Sequence, residues 1–221
     1  MTPLNILIAL AVLAALGVLG AWLAFRYTIR DPERTPPDEK DIMVSPADGR
    51  IKYIKRIEGG QIPYAEKQGR KIPVTDSTKE FPIESGYLIG VWMSFLVVHV
   101  QRVPLDGTVV RKYYHACGKF LDPHLQEGAD YENERNIVAI KNINFESPIL
   151  IIQIASIMVR RIVCFLNAGD HVSSGDRLGL IRMGSQVDIV IPDSEYLKLR
   201  VEEGDRVYAG ESVIASFSSS A

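Results

Sequence analysis

The residues able to do chemistry are few. At Met183-Gly184-Ser185-Gln186-Val187 a serine directly follows a glycine at the start of a Val/Ile-rich run. Both residues favour turns, so the pair suits an ordinary turn. It also suits self-cleavage, in which the Ser185 hydroxyl attacks the Gly184 carbonyl. Glycine permits the close approach and strained backbone this requires. The resulting ester can β-eliminate, and the dehydroalanine left behind hydrolyses to a pyruvoyl group. A ketone beside a carbonyl is an electron sink, which would support decarboxylation without a metal. A serine hydroxyl is a weak nucleophile and needs a positioned base, itself oriented by a carboxylate. The candidates are His99, in Val98-His-Val-Gln-Arg-Val-Pro104, and Asp48, in Ser45-Pro-Ala-Asp-Gly49. Asp48 reads equally as a turn residue, and His99 equally as a hydrogen-bonded core histidine. His115, His124 and His171 stand in more polar surroundings. Cys117 and Cys164 have no metal-like spacing and read as lone thiols, so no metal site is expected.

Short β-branched runs must position these groups. They lie at 50–57, 87–100, 107–114, 137–143, 149–157, 161–166 and 187–191, and their lengths predict strands. Asp48-Gly49 and Asp106-Gly107 read as tight turns feeding strands. Gly169-Asp-His-Val-Ser-Ser-Gly-Asp176 recurs thirty-five residues later as Gly204-Asp-Arg-Val-Tyr-Ala-Gly-Glu211. Each unit reads as turn, short strand and turn, with glycine where φ must be positive. Similar units occur in lipoyl and biotinyl carriers. The expected fold is mainly β, a barrel-like domain with lipoyl/biotinyl-like GD repeats.

Residues 6–25 carry no charge, and twenty residues at about 1.5 Å each span about 30 Å, a bilayer's hydrocarbon core. Residues 1–27 are therefore expected to form a retained transmembrane anchor, 28–44 a juxtamembrane linker and 45–221 the working domain. Arg26, Arg30 and Arg34 follow the span and no basic residue precedes it, which predicts a cytoplasmic domain at the cell membrane. The net charge of −2 gives no reason to expect nucleic acid.

Six motifs in order carry a resemblance. They are Arg30-Asp-Pro-Glu-Arg34, Ser45-Pro-Ala-Asp-Gly49, Val98-His-Val-Gln-Arg-Val-Pro104, Asn133-Glu-Arg-Asn136, Arg160-Arg-Ile-Val163 and Gly184-Ser-Gln-Val-Asp188. The set resembles the phosphatidylserine decarboxylase proenzyme family, and most of all its short, membrane-anchored branch, which includes archaetidylserine decarboxylases. The resemblance implies a cut between Gly184 and Ser185 into a large chain (1–184) and a small chain (185–221). Ser185 would become the pyruvoyl cofactor, whose ketone takes the serine headgroup's amine before carbon dioxide leaves. It implies that Asp48 orients the base for self-cleavage and that His99 is catalytic. Longer members of the family carry a second histidine three positions after the first, and here that position is Arg102. Either His99 takes both roles, or Arg102 and another residue share the activation. The substrate would be a membrane phospholipid, and many members are described as homodimers. Arg102, Lys119, Arg135, Arg160 and Arg161 are candidates to meet the lipid phosphate or the serine carboxylate.

Two other readings make different predictions. A membrane-tethered lipoyl-like carrier or adaptor needs a lysine at a hairpin tip, and the GD repeats have none between their turns. A serine peptidase using Ser185 predicts an intact chain, whereas the decarboxylase predicts one cut in itself.

Overall fold

The computed structural model describes residues 2–60, 65–67, 70–72, 83–94, 96–115, 134–155, 162–181 and 185–217. A single helix, α1 (Pro3–Thr28), precedes sixteen strands among these residues. At 26 residues it is about 39 Å long, enough to cross a bilayer. Proline begins it, where no amide donor is needed. Its apolar side chains face outward and only Thr28 is buried. A helix apolar all round and unburied by its own chain has no globular core to fill.

The strands are β1 (Ile42–Val44), β2 (Gly49–Ile57), β3 (Ala65–Lys67), β4 (Arg70–Ile72), β5 (Gly86–Trp92), β6 (Val100–Arg102), β7 (Gly107–His115) and β8 (Arg135–Lys141). They continue with β9 (Ile149–Ile154), β10 (Ile162–Cys164), β11 (His171–Val172), β12 (Arg177–Ile181), β13 (Gln186–Pro192), β14 (Lys198–Leu199), β15 (Arg206–Val207) and β16 (Val213–Ser216). Eight of them form one curled, antiparallel sheet in the order β11-β7-β8-β9-β13-β5-β2-β15, a half-barrel. Two three-stranded sheets, β10-β12-β6 and β1-β16-β14, accompany it. The expected run 87–100 is broken: β5 stops at Trp92 and β6 begins only at Val100.

β13 is buried along its whole length, so its alternation separates two cores instead of core and solvent. Val187, Ile189 and Ile191 face the larger core with Met43, Met93, Ile151 and Leu178. Val190 faces a smaller one with Tyr53, Leu88, Leu150 and Ile154. Gln186 and Asp188 alternate onto this second face, where Tyr53 Oη donates to Asp188 at 2.7 Å and Gln186 Nε2 donates to Asp188 at 2.7 Å.

The GD repeats fold alike. Gly204 and Gly169 start them with φ of +95° and +96°, a conformation L side chains rarely adopt. Gly204 N–H donates to Ile51 O at 2.8 Å, and Gly169 N–H to Val109 O at 2.7 Å. Gly210 N–H donates to Ser45 O and Gly175 N–H to Val103 O, both at 2.9 Å. The first unit thus wraps the Asp106-Gly107 turn and the second wraps the Asp48-Gly49 turn, in matching register. The two halves frame the ends of the long sheet.

Candidate functional site

Ser185 stands one residue before β13 and is fully buried. Its carbonyl accepts from Met93 N–H at 3.1 Å, which extends the β13–β5 pairing by one step. Its hydroxyl donates to Met93 Sδ at 3.3 Å. A thioether is a weak acceptor, so the Ser185 hydroxyl is held in place without being tied to a strong partner.

From Met93 a line of buried amides leads to His99. Gln101 Nε2 donates to Met93 Sδ at 3.7 Å and to His99 O at 2.9 Å. Gln153 Nε2 donates to Gln101 Oε1 at 2.9 Å, and Asn136 Nδ2 donates to Gln153 Oε1 at 2.8 Å. Each amide fixes the rotamer of the next, which is how a buried polar network gains rigidity.

His99 is fully buried. Its amide donates to Thr28 O at 2.9 Å, joining the site to the last residue of α1. Ring atom Nδ1 lies 2.7 Å from Val97 O. A carbonyl can only accept, so Nδ1 carries the proton and the lone pair falls on Nε2. Nε2 is buried with no hydrogen-bond partner among the described residues. Burial is the main cause that pushes the imidazole pKa below its usual value, against smaller upward pulls from Val97 O and the Asp48 charge. Desolvation therefore keeps the ring neutral, with a lone pair available as a base.

The hydrogen-bond partners of Asp48 are Arg34 and Ala209 N–H. Arg34 Nη2 grips its carboxylate at 2.9 and 3.2 Å, and Ala209 N–H donates to Oδ1 at 2.8 Å. Arg34 also pairs with Glu211. Burial raises the Asp48 pKa more than Ala209 N–H and Arg34 lower it. Asp48 reaches His99 through its field, while the direct partner of the imidazole is the Val97 carbonyl. A backbone acceptor leaves no residue signature in a sequence.

Arg102 lies on the far side of this cluster. Its guanidinium holds Asp31, Pro32 O at 2.9 Å and Gly175 O at 3.1 Å, clamping the residues after α1 onto the second turn of the first GD unit. Arg135 is buried at the start of β8, in register with Ile154 and His115. Gly184, Lys119, Arg160 and Arg161 lie outside the described residues. Sequence reasoning missed Met93, Gln101 and Gln153. Gln101 and Gln153 were detectable as polar residues interrupting apolar runs, and Met93 was not.

The phosphatidylserine decarboxylase family model matches residues 22–215. A phosphatidylserine decarboxylase proenzyme of Saccharopolyspora erythraea is 38% identical over 200 residues, covering 90% of this chain and 75% of that protein. A Methanocaldococcus jannaschii protein named for archaetidylserine decarboxylase proenzyme is 37% identical over 91% of this chain and 93% of its own length. One of the same name from Methanothermobacter thermautotrophicus is 39% identical over 85% of this chain and 78% of its own. With residues 22–215 matched and relatives of 37–39% identity over most of its length, the chain belongs to the phosphatidylserine decarboxylase family.

Proposed function

We propose that this chain is a self-cleaving proenzyme that decarboxylates the serine headgroup of a phospholipid, phosphatidylserine or archaetidylserine, to the ethanolamine lipid. The carrying observation is that Ser185 and His99 belong to one buried cluster, in which Met93 and Gln101 link Ser185 Oγ to the His99 main-chain carbonyl and His99 Nε2 has no hydrogen-bond partner among the described residues.

In this reading His99 Nε2 takes the Ser185 hydroxyl proton as Oγ attacks the Gly184 carbonyl carbon. The Gly184–Ser185 C–N bond breaks, the freed amine gains a proton, and an ester links the two pieces. Loss of the Ser185 α-proton expels the Gly184 carboxylate and leaves dehydroalanine. Its imine tautomer takes up water and releases ammonia, which leaves a pyruvoyl group at the head of the small chain. The residues fit that group: position 185 is enclosed and desolvated, and β13 behind it is paired on both sides. A bound pyruvoyl supplies an electron sink for the departing carboxylate's electrons. The amide line from Gln101 to Asn136 holds the position.

Asp48 and Arg34 act in this scheme as the charged frame beside His99. Arg135 stands as a candidate for the substrate's carboxylate, and the two GD units, lipoyl-like in pattern, serve as scaffold and not as carrier tips. Helix α1 anchors the enzyme at the cell membrane, with residues 28–44 as linker and the domain on the cytoplasmic face.

Intact-protein mass spectrometry of the full chain tests the reading, alongside Ser185→Ala. The expected result is two fragments meeting at 184/185, the smaller blocked by a ketone, and one uncut chain in the variant. An uncut wild-type chain in folded, membrane-bound form would sink the proposal.

A further inference from the structure

Arg50 and Arg206 stand directly opposite each other on β2 and β15, and Arg50 is opposite Trp92 on β5. Like charges in such a pair repel at close range. Neither guanidinium has a carboxylate partner among the described residues. Arg50 donates to Gly204 O at 2.9 Å, and Arg206 lies over the Tyr208 ring at 5.3 Å. A second opposed pair of arginines stands among the described residues, where Arg177 is opposite Arg102, and there the Asp31 carboxylate bridges both. The chain thus shows its own solution to an opposed arginine pair, an anion between the two, and omits that anion at Arg50 and Arg206.

These two arginines line a cavity of about 200 Å³ with Gly49, Trp92, Ser94 and Val97. Trp92 ends β5, and Ser94 and Val97 lie between β5 and β6. In the same stretch Met93 touches Ser185, and the Val97 carbonyl holds His99. Trp92 is in turn opposite Gln186, so Arg50, Trp92 and Gln186 share one face of the sheet, with Arg50 two strand spacings, about 10 Å, from the head of β13, where Ser185 turns to the other face beside Met93. A flexible arginine side chain and a short headgroup cover that span. Trp92 and Leu96 are 44% and 63% exposed, and His99 bonds the end of α1, so the cavity opens beside an apolar rim near the membrane anchor.

We propose that Arg50 and Arg206 bind the phosphate of the lipid substrate, with Ser94 as an added donor, and so present its headgroup to residue 185. Paired guanidiniums suit a phosphate's oxygens, and Trp92 with Leu96 suits the lipid's apolar part at the interface. The assignment rests on the decarboxylase reading for its ligand, but its chemistry, a phosphate ester between two arginines, does not.

The test uses the full-length chain in detergent micelles containing phosphatidylserine, comparing wild type, Arg50→Ala/Arg206→Ala and Arg50→Lys/Arg206→Lys. The alanine pair is expected to self-cleave as wild type does, which reports an intact fold. Its KM should rise about tenfold or more with kcat within about twofold, and the lysine pair should recover part of the loss. Inorganic phosphate should inhibit wild type competitively, and the alanine pair about tenfold less. Unchanged KM in a fully cleaved alanine pair overturns the assignment, even if phosphate inhibition weakens, since the ion alone would then be what the site holds. Calorimetric titration with inorganic phosphate and with glycerophosphoserine needs no turnover. If wild type neither cleaves nor releases carbon dioxide, the decarboxylase reading fails. Titration heat that both ligands give with wild type and lose in the alanine pair would still support the arginine site, and its absence would reject it.

Discussion

Asp48 and Asp106 make the same hydrogen bond in the two halves of a duplicated frame. Asp48 Oδ1 accepts from Ala209 N–H at 2.8 Å, and Asp106 Oδ1 accepts from Ser174 N–H at 2.7 Å. Each aspartate precedes the glycine that opens a long strand, and each bonds the second turn of a GD unit. The turn role is therefore common to both. What separates them is the setting: Asp48 is buried, gripped by Arg34 and felt electrostatically by His99.

This pair makes an internal control. Asn at either position keeps an oxygen for the turn bond but removes the charge. Asp106→Asn is expected to leave self-cleavage within about twofold, with a stability change of about 0.5 kcal/mol or less. Asp48→Asn should slow cleavage by about 100-fold. Gel analysis of freshly made chains follows both. Equal rates would reduce Asp48 to the turn role it shares with Asp106.

The pH dependence follows from His99. Burial holds its folded pKa below the usual value of about 6.5. If, as proposed, the neutral ring is the base, cleavage should stay at full rate as pH falls from 8 to about 6.5, and decline only below. Stability has the linked sign. Below about 6.5 the unfolded chain takes up a proton that the buried ring resists, so stability is lost as pH falls. In an uncut Ser185→Ala background, His99→Gln should flatten that loss in a Tm series between about pH 5 and 7. Cleavage already declining at pH 7.5 would refute the neutral-base assignment.

Much of the frame was legible because it depends on local rules. The GD repeats and the two Asp-Gly turns need particular φ values or turn geometry, and short-range chemistry announces them. The cleavage strand was legible as a Val/Ile run. Two things were not. The stretch between β5 and β6 is as apolar as a strand, yet the strand ends there: Met93 makes one more bond to Ser185, and by His99 the backbone bonds Thr28 at the end of α1. The orientation of His99 was equally hidden. Its partner is a carbonyl, while Asp48, the expected partner, is engaged by an arginine from the linker. Such choices are made by tertiary packing across more than a dozen residues, which residue types alone do not encode.

Gly90 makes a prediction on packing alone. It faces the Tyr53 ring, and a Cβ built there would overlap that ring. The ring cannot tilt away freely, since Tyr53 Oη donates to Asp188 and accepts from Gln186 Nε2 at 2.9 Å. Gly90→Ala should therefore cost about 1–3 kcal/mol, seen as a drop in Tm of several degrees. A variant as stable as wild type would mean that the strands separate without disturbing the triangle.

Arg102 offers the last test, because its family position and its contacts point different ways. It replaces a histidine that longer relatives use, yet its guanidinium is spent on Asp31, Pro32 O and Gly175 O. A guanidinium has only donors and no acceptor for a proton, and with three acceptors engaged and the side chain 10% exposed it serves as a clamp on the residues after α1. Arg102→Gln leaves Asp31 with Arg177 alone and should cost about 2–4 kcal/mol. The expected signature is faster limited proteolysis after residue 30 and a lower Tm, with the pH profile of cleavage unmoved. A displaced pH profile would instead place Arg102 beside the reacting atoms, and His99 would no longer be sufficient as the base.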